Sequence, residues 1–176
     1  KNVVIYGFGK IAKQTAATLA ALGMHVYVVS RHAGSEAVMR HGAEKIEPED
    51  VAAAADVVIN HQSADGLPVH YFDEVWFYSL KRRPLFINVG RGISVDEAAL
   101  CDALDAGFVS GAGIDVLEDE NPDLKNCKLL YRGNVILTPH SAFYSERSMN
   151  ELRTQACMNL VNHMRGEPDY AGNRVV

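Results

Sequence analysis

Long apolar runs are missing from this 176-residue chain. The longest, over residues 51–59, is roughly half a membrane span, and Asp56 interrupts it. No membrane partner is expected. Excess positive charge is missing too: the formal net charge is -5, and the isoelectric point lies near 5.8. The longest basic run, Lys81-Arg82-Arg83, reads as a solvated turn before Pro84. A general polyanion binder needs the opposite balance, so no nucleic-acid partner is expected. Cysteine is scarce, and Cys101, Cys127 and Cys157 lack the close spacing of a disulfide framework or a zinc site. Buried, reduced thiols in a cytoplasmic protein are expected, with no metal. No internal repeat, low-complexity tract or signal-peptide pattern is evident. The chain opens Lys1-Asn2, without an initiator Met, and enters a strand-like run at once. It is expected to be a piece of a longer protein that begins at a domain boundary.

Apolar residues make up 48% of the chain, enough for one packed domain over residues 1–176. Strand-like runs recur at residues 2–6, 25–29, 56–60, 84–89, 109–116 and 134–137. Segments of helical period alternate with them at 10–22, 35–41, 48–54, 72–80, 95–106 and 145–165. Short hydrophobic strands alternating with helices predict an α/β fold with a doubly wound parallel sheet, covered on both faces. Gly23 and Gly107 stop two helices, and Ser94 or Asp96 caps the helix over 95–106.

The first strand runs into Tyr6-Gly7-Phe8-Gly9-Lys10-Ile11-Ala12, which opens the first helix. Gly7 suits a tight turn, Gly9 a close approach of backbone to a pyrophosphate, and Ala12 a close helix–strand contact. The free N–H groups of the helix start, around Lys10 and Ile11, face the same way. A dinucleotide site is the reading; a glycine turn used only for packing is the alternative. An NAD-selective site usually has an acid at the end of the second strand to accept from the ribose hydroxyls. This chain has Ser30-Arg31-His32 there. Ser30 can donate to a 2′-phosphate, Arg31 can pair with it, and His32 can add charge. NADP is therefore the preferred cofactor, with NAD as the alternative if Arg31 only covers the adenine.

Three later strands also end in polar residues: Asn88-Val89-Gly90-Arg91-Gly92, then Asp115 through Glu120, then Thr138-Pro139-His140. The carboxyl ends of such strands share one crevice. An Arg, an acid and a His there suit hydride transfer to a 2-oxo acid. His140 can protonate the carbonyl oxygen, a carboxylate can hold its imidazole, and Arg91 can bind the substrate carboxylate and polarise the carbonyl.

On these residues the chain resembles the D-isomer-specific 2-hydroxyacid dehydrogenases. The resemblance rests on the glycine loop, on residues 88–100 (NVGRGISVDEAAL), on 111–120 (GAGIDVLEDE) and on 138–140 (TPH). It implies a Rossmann-type nucleotide domain in which Arg91, Glu120 and His140 are catalytic. Asp115 and the Val89-Gly90 backbone would face the nicotinamide carboxamide. It further implies a homodimer and a second, substrate-binding domain supplied by other parts of the protein, so that this piece alone binds cofactor yet turns over poorly. Several positions depart from the family pattern. Glu118 and Asp119 adjoin Glu120, the expected Glu-Pro appears as Glu120-Asn121-Pro122, and Ser63 replaces a Pro. Ser141-Ala142-Phe143-Tyr144 resembles the D-lactate branch, whereas Ser30-Arg31 resembles the glyoxylate and hydroxypyruvate reductase branch, so the substrate stays open. Tyr144 either lines the substrate pocket or packs. Two other readings stand beside this one: a nucleotide-sensing module of corepressor type, and another Rossmann-type enzyme resembling alanine dehydrogenase or adenosylhomocysteinase.

Overall fold

A computed structural model describes residues 1–63, 68–119 and 121–168. The chain divides into two compact units, Lys1–Pro139 and His140–Val176. The first holds seven parallel strands: β1 (Asn2–Tyr6), β2 (His25–Val29), β3 (Ala43–Lys45), β4 (Val57–Asn60), β5 (Leu85–Asn88), β6 (Gly111–Ile114) and β7 (Val135–Leu137). Their order is β3-β2-β1-β4-β5-β6-β7, the expected doubly wound Rossmann-type sheet. The helices are α1 (Lys10–Ala21), α2 (Ser35–Met39), α3 (Val51–Ala54), α4 (Glu74–Ser79) and α5 (Glu97–Asp105).

Strand parity builds both layers. On β1, Val3 and Ile5 pack with Ala12 and Ala16 of α1 and Val38 of α2. Val4 and Tyr6 point the other way, into a cluster with Phe77 of α4 and Leu100, Ala103 and Leu104 of α5. All four β1 side chains are buried, which is why this central strand reads as an unbroken apolar run. Each such burial stabilises the fold by about 1.5–3 kcal/mol. The chain winds one way to β2 and β3 and the other way to β4, so a crevice opens above the carboxyl end of β1.

Several element boundaries differ from expectation, each for a local reason. The short strand β3 was not anticipated; Ala43 is its one buried residue, so its sequence carries little apolar signal. β4 begins after Asp56, whose carboxylate accepts from the Asn2 N–H and from Arg82 at 2.7 Å. Arg82 of the basic run is thus an ion-pair partner. α4 begins at Glu74 because Phe72 pairs with Val95 in an isolated bridge and Asp73 caps the helix, accepting from the Trp76 N–H. α5 is capped by Asp96, which accepts from the Ala99 N–H at 2.9 Å, and not by Ser94. The span expected at 109–116 narrows to β6, since the Val109 N–H still bonds the Ala103 carbonyl of the preceding helix.

The second unit carries α6 (Glu146–Arg165), opened by a capping box between Ser145 and Ser148 and closed by Gly166. All three cysteines are free, but only Cys101 is buried, and Cys157 lies exposed on α6, contrary to the expectation of three buried thiols. No helix among the described residues is long and apolar enough to cross a membrane.

Candidate functional site

At the carboxyl end of β1, the Gly7 N–H bonds the Val29 carbonyl at 2.9 Å, and the chain turns with φ +88° at Gly7. A Cβ there would sit 3.0 Å from the His61 carbonyl, so Gly7 meets two demands at once. Gly9 then caps α1 with its backbone alone. No described side chain caps this helix, and nothing lies within 4 Å of where a Gly9 Cβ would stand. The space beside Gly9 is therefore open, at the end of α1 that carries the first-turn N–H groups and the positive end of the helix dipole.

That space is part of a cleft of about 840 Å³. Ser30, Arg31 and His32 line it from the loop after β2, and Lys45 and Glu47 from the end of β3. The Ser30 hydroxyl accepts from the Ala33 N–H at 3.1 Å, which leaves its own proton to donate. Lys13, Arg31 and Lys45 are cations, and Glu47 is the one carboxylate among the described lining. The cleft is thus basic within an acidic chain. Lys10 and Ile11 open α1 but do not line the cleft, and the Ile11 side chain is 71% exposed. His61, which also lines the cleft, contacts Thr15 Oγ1 through Nε2 at 3.1 Å. Burial lowers its pKa and favours the neutral ring.

A buried polar cluster holds the loop after β5. Asn60 Nδ2 donates to Asn88 Oδ1 and to Ser94 Oγ, each at 2.9 Å. Asn88 Oδ1 also accepts from the Gly90 N–H, and Asn88 Nδ2 donates to the Arg91 carbonyl at 3.1 Å. The Ser94 hydroxyl donates to that same carbonyl at 2.6 Å. Arg91 thus has its backbone fixed from two sides while its side chain is exposed. Val89 is half-buried and its N–H bonds the Asn60 carbonyl; Gly90 is buried, and a Cβ there would press on the Gln62 carbonyl at 2.8 Å.

Asp115 is buried at the end of β6 and accepts from the Thr138 hydroxyl at 2.6 Å. Of the acidic run that follows, Glu118 is engaged elsewhere. Its carboxylate lies 2.6 Å from His70 Nε2, and its N–H bonds Glu97 Oε1 at 2.6 Å. Glu120 falls outside the described residues. In the second unit, His140 is exposed and has φ +50°, an arrangement costing an L-residue on the order of 1 kcal/mol. Its ring meets Phe143 edge-to-face, with centroids 6.1 Å apart. Tyr144 beside it is largely exposed.

Sequence reasoning missed Asn60, Lys45 and the His70–Glu118 contact. An asparagine inside an apolar strand, as at Asn60, was a usable signal, because a buried amide needs partners.

The fold and the glycine-loop cleft define a dinucleotide-binding protein of the doubly wound class. The chain belongs to the D-isomer specific 2-hydroxyacid dehydrogenase family, residues 1–142 matching the model of its NAD binding domain. It is 34% identical to a glyoxylate reductase of Thermococcus kodakarensis, over all of this chain and 53% of that protein. It is 29% identical to a chloroplastic D-3-phosphoglycerate dehydrogenase of Arabidopsis thaliana, over 95% of this chain and 28% of that one. Among solved structures, D-lactate dehydrogenase of Aquifex aeolicus, complexed with NAD and lactic acid, superposes with a TM-score of 0.86 at 27% identity. That match covers 94% of this chain and 54% of the other. The chain therefore spans about half the length of such relatives, or less.

Proposed function

We propose that this chain is the dinucleotide-binding part of a dehydrogenase that interconverts a 2-oxo acid and a D-2-hydroxy acid, using NADP in preference to NAD. One observation carries the reading. A single carboxyl edge of the sheet bears the Gly7 turn, the Asn88–Arg91 loop, Asp115 and Thr138 on β1, β5, β6 and β7. The family match and the names of the relatives, a glyoxylate reductase and a D-lactate dehydrogenase, support it. The open space before Gly9 and the cations of the cleft fit a pyrophosphate, and Ser30, Arg31 and His32 fit a 2′-phosphate. Val89, Gly90 and Asp115 would meet the carboxamide.

A bound nicotinamide would supply or accept the hydride. Arg91 would pair with the substrate carboxylate and draw charge onto the 2-carbonyl oxygen. His140 would pass a ring proton to that oxygen as hydride reaches the carbon, giving the alcohol. Glu120 would hold the imidazole and favour its protonated form. By the same resemblance, residues 1–176 form one domain of a two-domain, cytoplasmic homodimer.

The test is oxidation of NADPH and NADH by the full-length protein with glyoxylate, hydroxypyruvate and pyruvate. Consumption of NADPH is expected, with a D-configured product from hydroxypyruvate or pyruvate. Binding of the dinucleotide without oxidation by any 2-oxo acid would overturn the reading and favour a sensing module.

A further inference from the structure

The cleft holds two cations that the glycine loop and the Ser30-Arg31-His32 segment do not provide, Lys13 on α1 and Lys45. Lys45 ends β3, the edge strand next to β2. The register pairs Lys45 with Val28, and the Ile46 N–H bonds the Val28 carbonyl at 3.0 Å. Paired residues in parallel strands project to the same face, and so do residues two apart along one strand. Lys45 thus shares the face of Val28, and of Ala43, which is buried in the same cluster. Ser30 lies two residues beyond Val28. With strands about 4.8 Å apart and a rise of about 3.3 Å per residue, the Lys45 and Ser30 backbones are about 8 Å apart. A lysine side chain, reaching about 6 Å, brings its ammonium to a group held by Ser30. Among the described residues Lys45 forms no ion pair.

We infer that Lys45 is a second, independent determinant of cofactor choice, its ammonium pairing with the 2′-phosphate of the adenosine ribose. The inference rests on the proposed NADP preference. A flexible point charge suits this position, because the phosphate is already oriented by Ser30 and the planar guanidinium. Glu47, two residues on, also lines the cleft, and its charge opposes a 2′-phosphate. Lys45 offsets it. Removing either charge should therefore move the NADPH-to-NADH affinity ratio in opposite directions.

The experiment is calorimetric titration of the full-length protein, without substrate, by NADPH, NADH, adenosine 2′-monophosphate and adenosine 5′-monophosphate. Lys45→Gln is expected to weaken NADPH and the 2′-monophosphate about tenfold, leaving NADH and the 5′-monophosphate within about twofold. Lys45→Arg should restore most of the loss, and Glu47→Gln should tighten NADPH alone. Equal loss for both dinucleotides, or no loss for either, would overturn the role of Lys45. If Arg31→Ala abolishes the NADPH preference while Lys45→Gln does not, the 2′-phosphate reading stands and this inference falls. If the unaltered protein binds both dinucleotides alike, the underlying preference is wrong and the inference falls with it.

Discussion

His70 Nε2 stands 2.6 Å from Glu118 Oε1, tying the loop before α4 to the loop after β6. The His70 N–H also bonds the Ile93 carbonyl, so this latch borders the segment that carries Arg91. The Glu118 hydrogen bond raises the His70 pKa above its ordinary 6.5, aided by the charges of Glu118, Asp96 and Asp73 and opposed by desolvation. A group whose value is raised on folding stabilises the fold fully below its unfolded pKa, and loses that contribution as pH rises through the folded one.

His70→Gln should therefore destabilise the protein at about pH 5.5 and hardly at all at about pH 9. Both side chains are more than a third exposed, so the difference should stay at or below about 1 kcal/mol and shrink in high salt. Urea midpoints at the two pH values check this. A gap independent of pH would mean that the contact acts only by packing.

The glycines separate fold from binding. Gly9→Ala meets nothing, so stability should change by less than about 0.5 kcal/mol while dinucleotide affinity falls at least tenfold. A Cβ on Gly92, by contrast, would run into the Leu117 carbonyl. Gly92→Ala should cost about 2 kcal/mol or more, because backbone must move. Denaturant unfolding beside cofactor titration measures both.

Asn88 should act as a positioning residue. Asn88→Leu strips partners from Asn60, the Gly90 N–H and the Arg91 carbonyl. A loss of about 2–4 kcal/mol in stability is expected from donors left unpaired in the interior. If the cluster also aims Arg91, KM for the 2-oxo acid should rise severalfold while NADPH affinity holds. Stability loss with unchanged KM would confine the cluster to a structural role.

Much of this was legible in the sequence because the signals are local. The β1–Gly7–α1 turn lies within a dozen residues, and its strand reads as apolar because both faces are covered. β3, which carries Lys45, is not legible, since one buried alanine gives no periodicity. The Asn60–Asn88–Ser94 cluster joins the end of β4 to the β5–α5 connection, 28 and 34 residues further along the chain. Ser94, one of two residues able to cap α5 by sequence, is occupied there, and Asp96 is the cap. Likewise Glu118 is interchangeable with its acidic neighbours in sequence, and only its pairing with His70 distinguishes it. Cys157 looked like a core thiol because cysteine usually is one.

The most direct test of the central claim is His140→Ala in the full-length protein, with turnover of a 2-oxo acid and NADPH affinity measured on the same preparation. The account predicts that turnover falls by about 10²–10⁴-fold, the usual worth of a positioned acid, while NADPH affinity stays within about twofold. Turnover surviving that change would place the proton donor elsewhere and contradict the assignment of this strand edge as the reaction site.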